Sequence, residues 1–154
     1  MKSQDDTLTT TQEHCIDICN GLLRGELSAI ETYDLAVEKH SGATATEELR
    51  RICEDHSRSA NLLSANVREM GGEPDQDSGA WGLLATAVQA TANLFGEDSA
   101  IDSLRKGEVA GRNDYQEALL DDDVMAESKL MIREELLPPV IEHIATLDKL
   151  EHVG

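Results

Sequence analysis

Four long segments of this 154-residue chain carry apolar residues at every third or fourth position. That spacing puts the apolar side chains on one stripe of an α-helix, and such a stripe has to be buried against another element. The four stripes therefore predict an all-α fold built from packed helices. They begin at Ile16, Leu49, Ile101 and Ile132 and end at Val37, Met70, Leu119 and Leu150, respectively.

The first half of the chain is predicted to contain two of these helices, over residues 8–40 and about 44–70. Ser41-Gly42-Ala43 separates them. Thr44 or Thr46 is the predicted cap of the second helix, because a threonine hydroxyl can accept a hydrogen bond from a backbone N–H of the first helical turn.

The second half is predicted to contain the other two helices, over about 98–120 and 125–150. Asp98 or Ser99 can cap the third helix. Pro138-Pro139 lies inside the fourth, and it predicts a kink or a split there because proline cannot donate a backbone hydrogen bond.

A long connection over residues 72–97 joins the two halves, and an apolar segment within it predicts a short extra helix over about 80–94. Two helical hairpins, at about 8–71 and 98–151, would then be linked by one long crossover. The sequence therefore predicts a four-helix bundle that forms a single domain over residues 1–154.

The charge balance limits the partners. The chain has 13 lysines and arginines against 31 aspartates and glutamates, a net charge of −18, which opposes binding to nucleic acid or an anionic membrane. The first fourteen residues are polar and lack the apolar stretch of a secretory signal, so we expect a cytoplasmic protein. The acidic runs are interpreted as solvated surface, with attraction of cations as the alternative. A metal ion is the predicted partner because of the interior residues described next, and assembly into a homo-oligomer is compatible with the sequence.

One ionisable residue lies at an interior position of each stripe: Glu26, His56, Glu108 and His143. A buried carboxylate normally shifts its pKa, finds a partner or binds a metal. Two glutamates and two histidines that converge from four helices would suit iron, manganese or zinc. The alternative is a buried Glu/His hydrogen-bond network without a metal.

The two halves resemble each other around these positions. Tyr33 follows Glu26 by seven residues, Tyr115 follows Glu108 by seven, and an acidic residue directly precedes each histidine. We interpret this as a duplicated hairpin. The two tyrosines are predicted either to hydrogen-bond the glutamates from neighbouring helices or to cover the edge of the core.

Two further expectations concern geometry. Helix rise places Glu26 and His56 within about 4 to 5 Å of the same level, but it leaves Glu108 and His143 about 10 Å apart if their helices start directly at the connecting turn. Cys53, three residues before His56, would face the same interior as a ligand, a redox-active thiol or a small core residue.

The stretch Leu22–Tyr33, the pair Asp55-His56 and the segment Met70–Pro74 resemble the ferritin-like superfamily, notably its bacterioferritin and rubrerythrin branch. Together with Gly107-Glu108 and Glu135-Leu136-Leu137-Pro138, they are similar to a family of bacterial ferritin-like four-helix-bundle domains of unknown function. The resemblance implies a carboxylate-bridged di-iron or related site. It would have Glu26 and Glu108 as terminal carboxylates and His56 and His143 as imidazole ligands.

The chain departs from the di-iron pattern at the two bridging carboxylates, since Cys53 and Val140 stand where Glu-x-x-His has glutamate. We therefore expect a mononuclear site and a metal-binding protein. The resemblance further implies a redox or stress-related role. Catalysis would also require an open coordination position. The alternative function is a structural or interaction module in which the four residues form a buried network.

Overall fold

A computed structural model describes residues 8–39, 42–78 and 97–153 of the chain, and the regular structure in these ranges is helical, with no β-strand. The prediction of an all-α fold is confirmed. The elements are α1 (Thr10–Lys39), α2 (Ala43–Glu69), α3 (Glu97–Leu120), α4 (Ala126–Met131), a π-helical turn (Ile132–Leu136) and α5 (Leu137–Val153).

The helices of each hairpin run antiparallel. Across α1 and α2, the thiol of Cys19 donates to Asn66 Oδ1 at 3.4 Å, and Glu26 Oε1 lies 2.5 Å from His56 Nδ1. A later position in α1 therefore pairs with an earlier position in α2.

The second hairpin follows the same rule, and the two hairpins pack against each other. Arg105 Nε donates to Asp148 Oδ1 at 2.5 Å, and Glu108 Oε1 lies 3.2 Å from His143 Nδ1. Tyr33 of α1 also contacts Glu108 of α3. The long helical segments thus pack as a helical bundle.

The helix starts differ in part from those predicted. A reciprocal capping pair opens α1, because Gln12 N donates to Thr9 Oγ1 at 3.0 Å and Thr9 N donates to Gln12 Oε1 at 2.9 Å. The predicted caps Thr44 and Thr46 lie inside α2, which begins at Ala43 after Gly42 without a side-chain cap. Glycine at the N-cap position lets the helix start earlier than the threonines suggest.

Two glycines end α2 where the sequence predicted a break. Gly71 has a φ of 92°, a left-handed conformation that glycine adopts without strain, and Gly72 N donates to Val67 O at 2.9 Å. A Cβ on Gly72 would lie 2.7 Å from a side-chain carbon of Ile16. This glycine pair therefore sets both the turn and the close approach of the crossover to α1.

The start of the crossover is held against α1. The side chain of Asn20 donates to Glu73 O at 3.0 Å and accepts from Asp75 N at 2.9 Å. The predicted short helix over about 80–94 lies outside the described residues.

The last helical segment is interrupted next to its two prolines, as predicted. Leu137 N donates to Ile132 O, five residues earlier, which is the hydrogen bond of a π-helix. Pro138 and Pro139 follow directly and cannot donate to the carbonyls behind them.

The buried apolar residues form two clusters, one toward each end of the bundle. The first comprises Cys15, Ile16, Cys19, Leu23, Ala60, Leu63, Val67, Met70, Tyr115, Ala118, Val124, Ile132, Leu136 and Val140. The second comprises Tyr33, Leu49, Ile52, Ala100, Ile101, Leu104 and Leu147. On every long helix the buried ionisable residue lies between a member of one cluster and a member of the other.

None of the helices in the described ranges combines the length and the hydrophobicity that a membrane-spanning segment needs.

Candidate metal centre

The four ionisable residues selected from the stripes are buried together where the two apolar clusters meet. Glu26, His56, Glu108 and His143 are between 1% and 5% exposed. Each comes from a different long helical segment, and each hydrogen-bonds to at least one of the others. We call these four side chains the Glu/His cluster.

His56 lies between the two glutamates. Its Nδ1 is 2.5 Å from Glu26 Oε1, and its Nε2 is 2.7 Å from Glu108 Oε2. Its ring stacks on Tyr33, with the ring centroids 5.4 Å apart. Both nitrogens of this imidazole therefore face a carboxylate.

His143 also lies between two carboxylates, but only one of them belongs to the Glu/His cluster. Its Nδ1 is 3.2 Å from Glu108 Oε1, and its Nε2 is 2.8 Å from Asp55 Oδ2. Asp55 points away from its neighbour His56 and reaches α5 instead. The sequence singled out the acid next to each histidine but could not show which helix it would contact.

The predicted height mismatch between Glu108 and His143 does not keep them apart. Glu108 lies about 18 Å along α3 from its end at Leu120, and His143 lies about 25 Å from the start of α4 at Ala126. The difference is about 7 Å, less than predicted, because α4 starts later than assumed. The two side chains span this distance and meet.

The two tyrosines exchange partners between the hairpins. Tyr33 OH of α1 donates to Glu108 Oε2 of α3 at 2.6 Å, and Tyr115 OH of α3 donates to Glu26 Oε2 of α1. Cys53 differs from the tyrosines, since its thiol contacts Ile30 O at 3.7 Å and Asp34 Oδ1 at 3.6 Å, outside the Glu/His cluster.

Burial and charge set the protonation states. Burial alone lowers the pKa of His56, but the charges and hydrogen bonds of Glu26 and Glu108 outweigh it and raise that pKa well above 6.5. Burial also opposes ionisation of Glu108, yet the charge of His56 and the hydrogen bonds of both imidazoles lower the pKa of Glu108 to about 2. Near neutral pH, His56 is therefore an imidazolium and Glu108 a carboxylate.

The tyrosines remain neutral donors. Burial, followed by the negative charge of the glutamate that each contacts, raises the pKa of Tyr33 and Tyr115 well above 10. Each hydroxyl therefore keeps its proton and donates a hydrogen bond to a carboxylate.

Three of the four residues have potential ligand atoms close enough for one metal ion. One atom each of His56, Glu108 and His143 lie within 4.8 Å of one another. Ligand atoms of a tetrahedral ion with bonds of about 2.0 to 2.2 Å are about 3.3 to 3.6 Å apart. The donor set therefore suits a transition-metal ion, and these three residues could hold one if their ligand atoms adopt that spacing, with Glu26 on the far side of the His56 ring.

A second group of potential ligands lies at the end of the bundle, where His14 Nε2 is 2.8 Å from Asp121 Oδ2, near Asp123. The His14 side chain is 42% exposed and the pair is solvated. Exposed acidic groups of this kind commonly hold no ion.

Comparison with known proteins identifies a family for this chain. No curated protein and no solved structure matches the chain. Residues 14–121 match a family described as a domain of unknown function (DUF2383). The match runs from α1 to the end of α3 and includes Glu26, His56 and Glu108. Because it covers more than half of the chain, the protein belongs to the DUF2383 family.

Proposed function

We propose that the protein binds one divalent transition-metal ion, iron, manganese or zinc, inside the bundle. His56, Glu108 and His143 would hold the ion, and Glu26 would accept the remaining N–H of His56. Imidazole and carboxylate together are the donor set that these metals favour. When bound, such an ion supplies Lewis acidity and, if it is iron or manganese, redox chemistry.

One observation carries the proposal. Each imidazole places one nitrogen at Glu108 and the other at a separate carboxylate, Glu26 for His56 and Asp55 for His143. Metal-binding histidines typically have this arrangement, because the outer carboxylate fixes the ring orientation and the tautomer. In a metal-free network the same two carboxylates would instead accept from both N–H groups of each imidazolium, so metal analysis has to separate the two candidates.

The protonation states add a requirement. A ligand imidazole must be neutral at the coordinating nitrogen, so His56 has to release a proton when a metal binds. Glu26 then accepts a hydrogen bond from the N–H that remains at Nδ1, while the tyrosines keep both glutamates hydrogen-bonded.

The second candidate is a structural or interaction module in which the Glu/His cluster is a metal-free network. A specific observation favours it. Within the described part of the chain, the one buried side-chain polar atom without a hydrogen-bond partner is Arg112 Nε, which lies outside the cluster. The network is therefore satisfied without an ion, and the imidazolium of His56 offsets part of the charge of the two glutamates.

Metal analysis distinguishes the two candidates. The protein is dialysed against Fe²⁺, Mn²⁺ or Zn²⁺ and its metal content is measured by mass spectrometry, beside the variants Glu108→Gln and Glu142→Gln. Glu142 precedes His143 in sequence and is exposed, so it is the matched control. We expect about one equivalent in the wild type and in Glu142→Gln, and at least a tenfold loss of affinity in Glu108→Gln. A substoichiometric content that Glu108→Gln leaves unchanged would favour the metal-free network.

A further inference from the structure

A cavity of about 350 Å³ lies between α1 and α3 and extends to the Glu/His cluster. Glu26, His56 and Glu108 line its inner end, and the exposed residues Lys106 and Asp114 line its outer end. The cavity therefore connects the buried polar residues with the surface of the bundle.

Two glycines on opposite walls leave this space open. Gly25 of α1 and Gly111 of α3 lie inside their helices, and a Cβ on either would meet no atom of the described residues within 4 Å. Neither has the positive φ that requires glycine. Glycine lowers the stability of a helix interior relative to alanine, so crowding and backbone conformation do not explain these two residues.

The walls and the inner end of the cavity differ in chemistry. Leu22, Ala29, Leu104 and Val140 line the walls, which are therefore mainly apolar. At the inner end, the Glu26 carboxylate accepts hydrogen bonds from two described residues, His56 and Tyr115. A carboxylate can accept about four, so Glu26 can receive a donor from a ligand.

From this arrangement we infer that the cavity is a binding site for a small, mainly apolar, uncharged molecule that carries one hydrogen-bond donor, such as a hydroxyl group. The apolar body lies between α1 and α3, and the donor bonds to Glu26. The volume is sufficient, since an apolar cavity of about 150 Å³ holds benzene. Anions are disfavoured, because the inner end carries two glutamates. This site does not depend on the proposed metal.

The test uses the full chain in the presence of a chelator, so that its result is independent of metal binding. Amide shifts in nuclear magnetic resonance spectra are followed during titration with three ring compounds: benzyl alcohol, toluene and benzoate. We expect benzyl alcohol to shift the amides of Gly25 and Gly111 with a dissociation constant of about 1 mM or lower. Toluene should bind several-fold more weakly because it lacks a donor, and benzoate most weakly.

Substitutions of the two glycines locate the site. Gly25→Leu and Gly111→Leu fill the cavity from opposite walls and should each weaken benzyl alcohol binding by about tenfold or more, a difference of about 1.4 kcal/mol. Gly25→Ala leaves most of the volume and should change binding by less than about threefold. It is the matched control for Gly25→Leu.

Three results would overturn the inference. The first is the absence of saturable shifts up to about 10 mM benzyl alcohol in the wild type. The second is binding that persists unchanged in both leucine variants. The third is a melting temperature far below that of the wild type in both leucine variants, because it would mean that the space is already filled in the native protein.

Discussion

The two hairpins supply the same three kinds of side chain to the centre of the bundle, a glutamate, a tyrosine and a histidine, but use their histidines differently. In the first hairpin, His56 bridges Glu26 and Glu108 and therefore joins both halves. In the second, His143 contacts Glu108 but has Asp55 as its other partner. The tyrosine contacts are reciprocal and the histidine contacts are not.

This difference makes Glu108 the centre of the cluster. Glu108 contacts both imidazoles and accepts from Tyr33, whereas Glu26 contacts one imidazole and accepts from Tyr115. The two hairpins thus provide equivalent residues, but the packing of α5 makes the two carboxylates unequal.

The largest expected effect comes from removing the bridging histidine. His56→Leu should lower the free energy of unfolding of the metal-free protein by about 3 to 5 kcal/mol, because two buried carboxylates lose their charged partner. His143→Leu should cost less, since Glu108 keeps His56 and Asp55 is close to Arg58 at 3.3 Å. Urea unfolding in chelator measures both values. Equal losses would mean that the two histidines are equivalent after all.

Variants of the two tyrosines test whether their hydrogen bonds to the opposite hairpin contribute equally to stability. Tyr115→Phe and Tyr33→Phe each remove a hydrogen bond to a buried carboxylate, with an expected loss of about 1.5 to 3 kcal/mol. Tyr115→Phe should be the more costly, because Glu26 then keeps only His56 among the described residues. Thermal or urea unfolding of both variants gives the order, and a larger loss in Tyr33→Phe would contradict it.

The carboxylates of Asp55 and Glu26, which contact the imidazole nitrogens that face away from Glu108, allow the two histidines to be compared in metal binding. Asp55→Asn and Glu26→Gln each weaken the acceptor on one ligand imidazole, and each should lower metal affinity by about 10- to 100-fold. Titration with Zn²⁺ against a competing chelator measures the change. If Asp55→Asn binds the metal as tightly as the wild type, His143 is not held in place by Asp55.

The smallest expected effect is the change in the free energy of unfolding per pH unit, which arises from His56 and from Glu108, its hydrogen-bond partner. The folded pKa of His56 lies above its ordinary value of 6.5, so its stabilisation is complete below pH 6.5 and is lost as the pH rises through the folded pKa. The pKa of Glu108 is lowered from 4.5 to about 2, so its stabilisation is present above pH 4.5 and is lost as the pH falls toward 2. The slope for one proton is at most about 1.4 kcal/mol per pH unit.

The unfolding free energies of the metal-free wild type and His56→Leu, measured from pH 3 to 9, test this. Their difference should be largest between about pH 4.5 and 6.5 and should shrink on both sides. A difference that grows above pH 6.5 would contradict a charged His56.

The periodic stripes predicted the all-α fold and the burial of all four cluster residues, because helix periodicity alone decides which side chains face inward. Periodicity also selected the two tyrosines. It could not identify Asp55 as the partner of His143, since that contact depends on how α2 and α5 are rotated against each other.

The π-helical turn did leave a signal in the sequence. Ser128, Ile132, Leu136 and Val140 are all buried and are spaced four apart. Twelve residues of α-helix from Ser128 to Val140 would rotate Val140 about 120° past the stripe, and one extra residue taken up by a π-turn removes most of that rotation. Together with the two prolines, that spacing predicts an extra residue within the helix at this point as well as a kink.

The exchange of tyrosines between the hairpins has a consequence for folding. A hairpin on its own would leave its interior apolar stripe and its glutamate facing water, and the hydroxyl donor of that glutamate belongs to the other hairpin. We therefore expect both hairpins to gain these contacts in the same event, and the described helices to unfold as one cooperative unit rather than half by half.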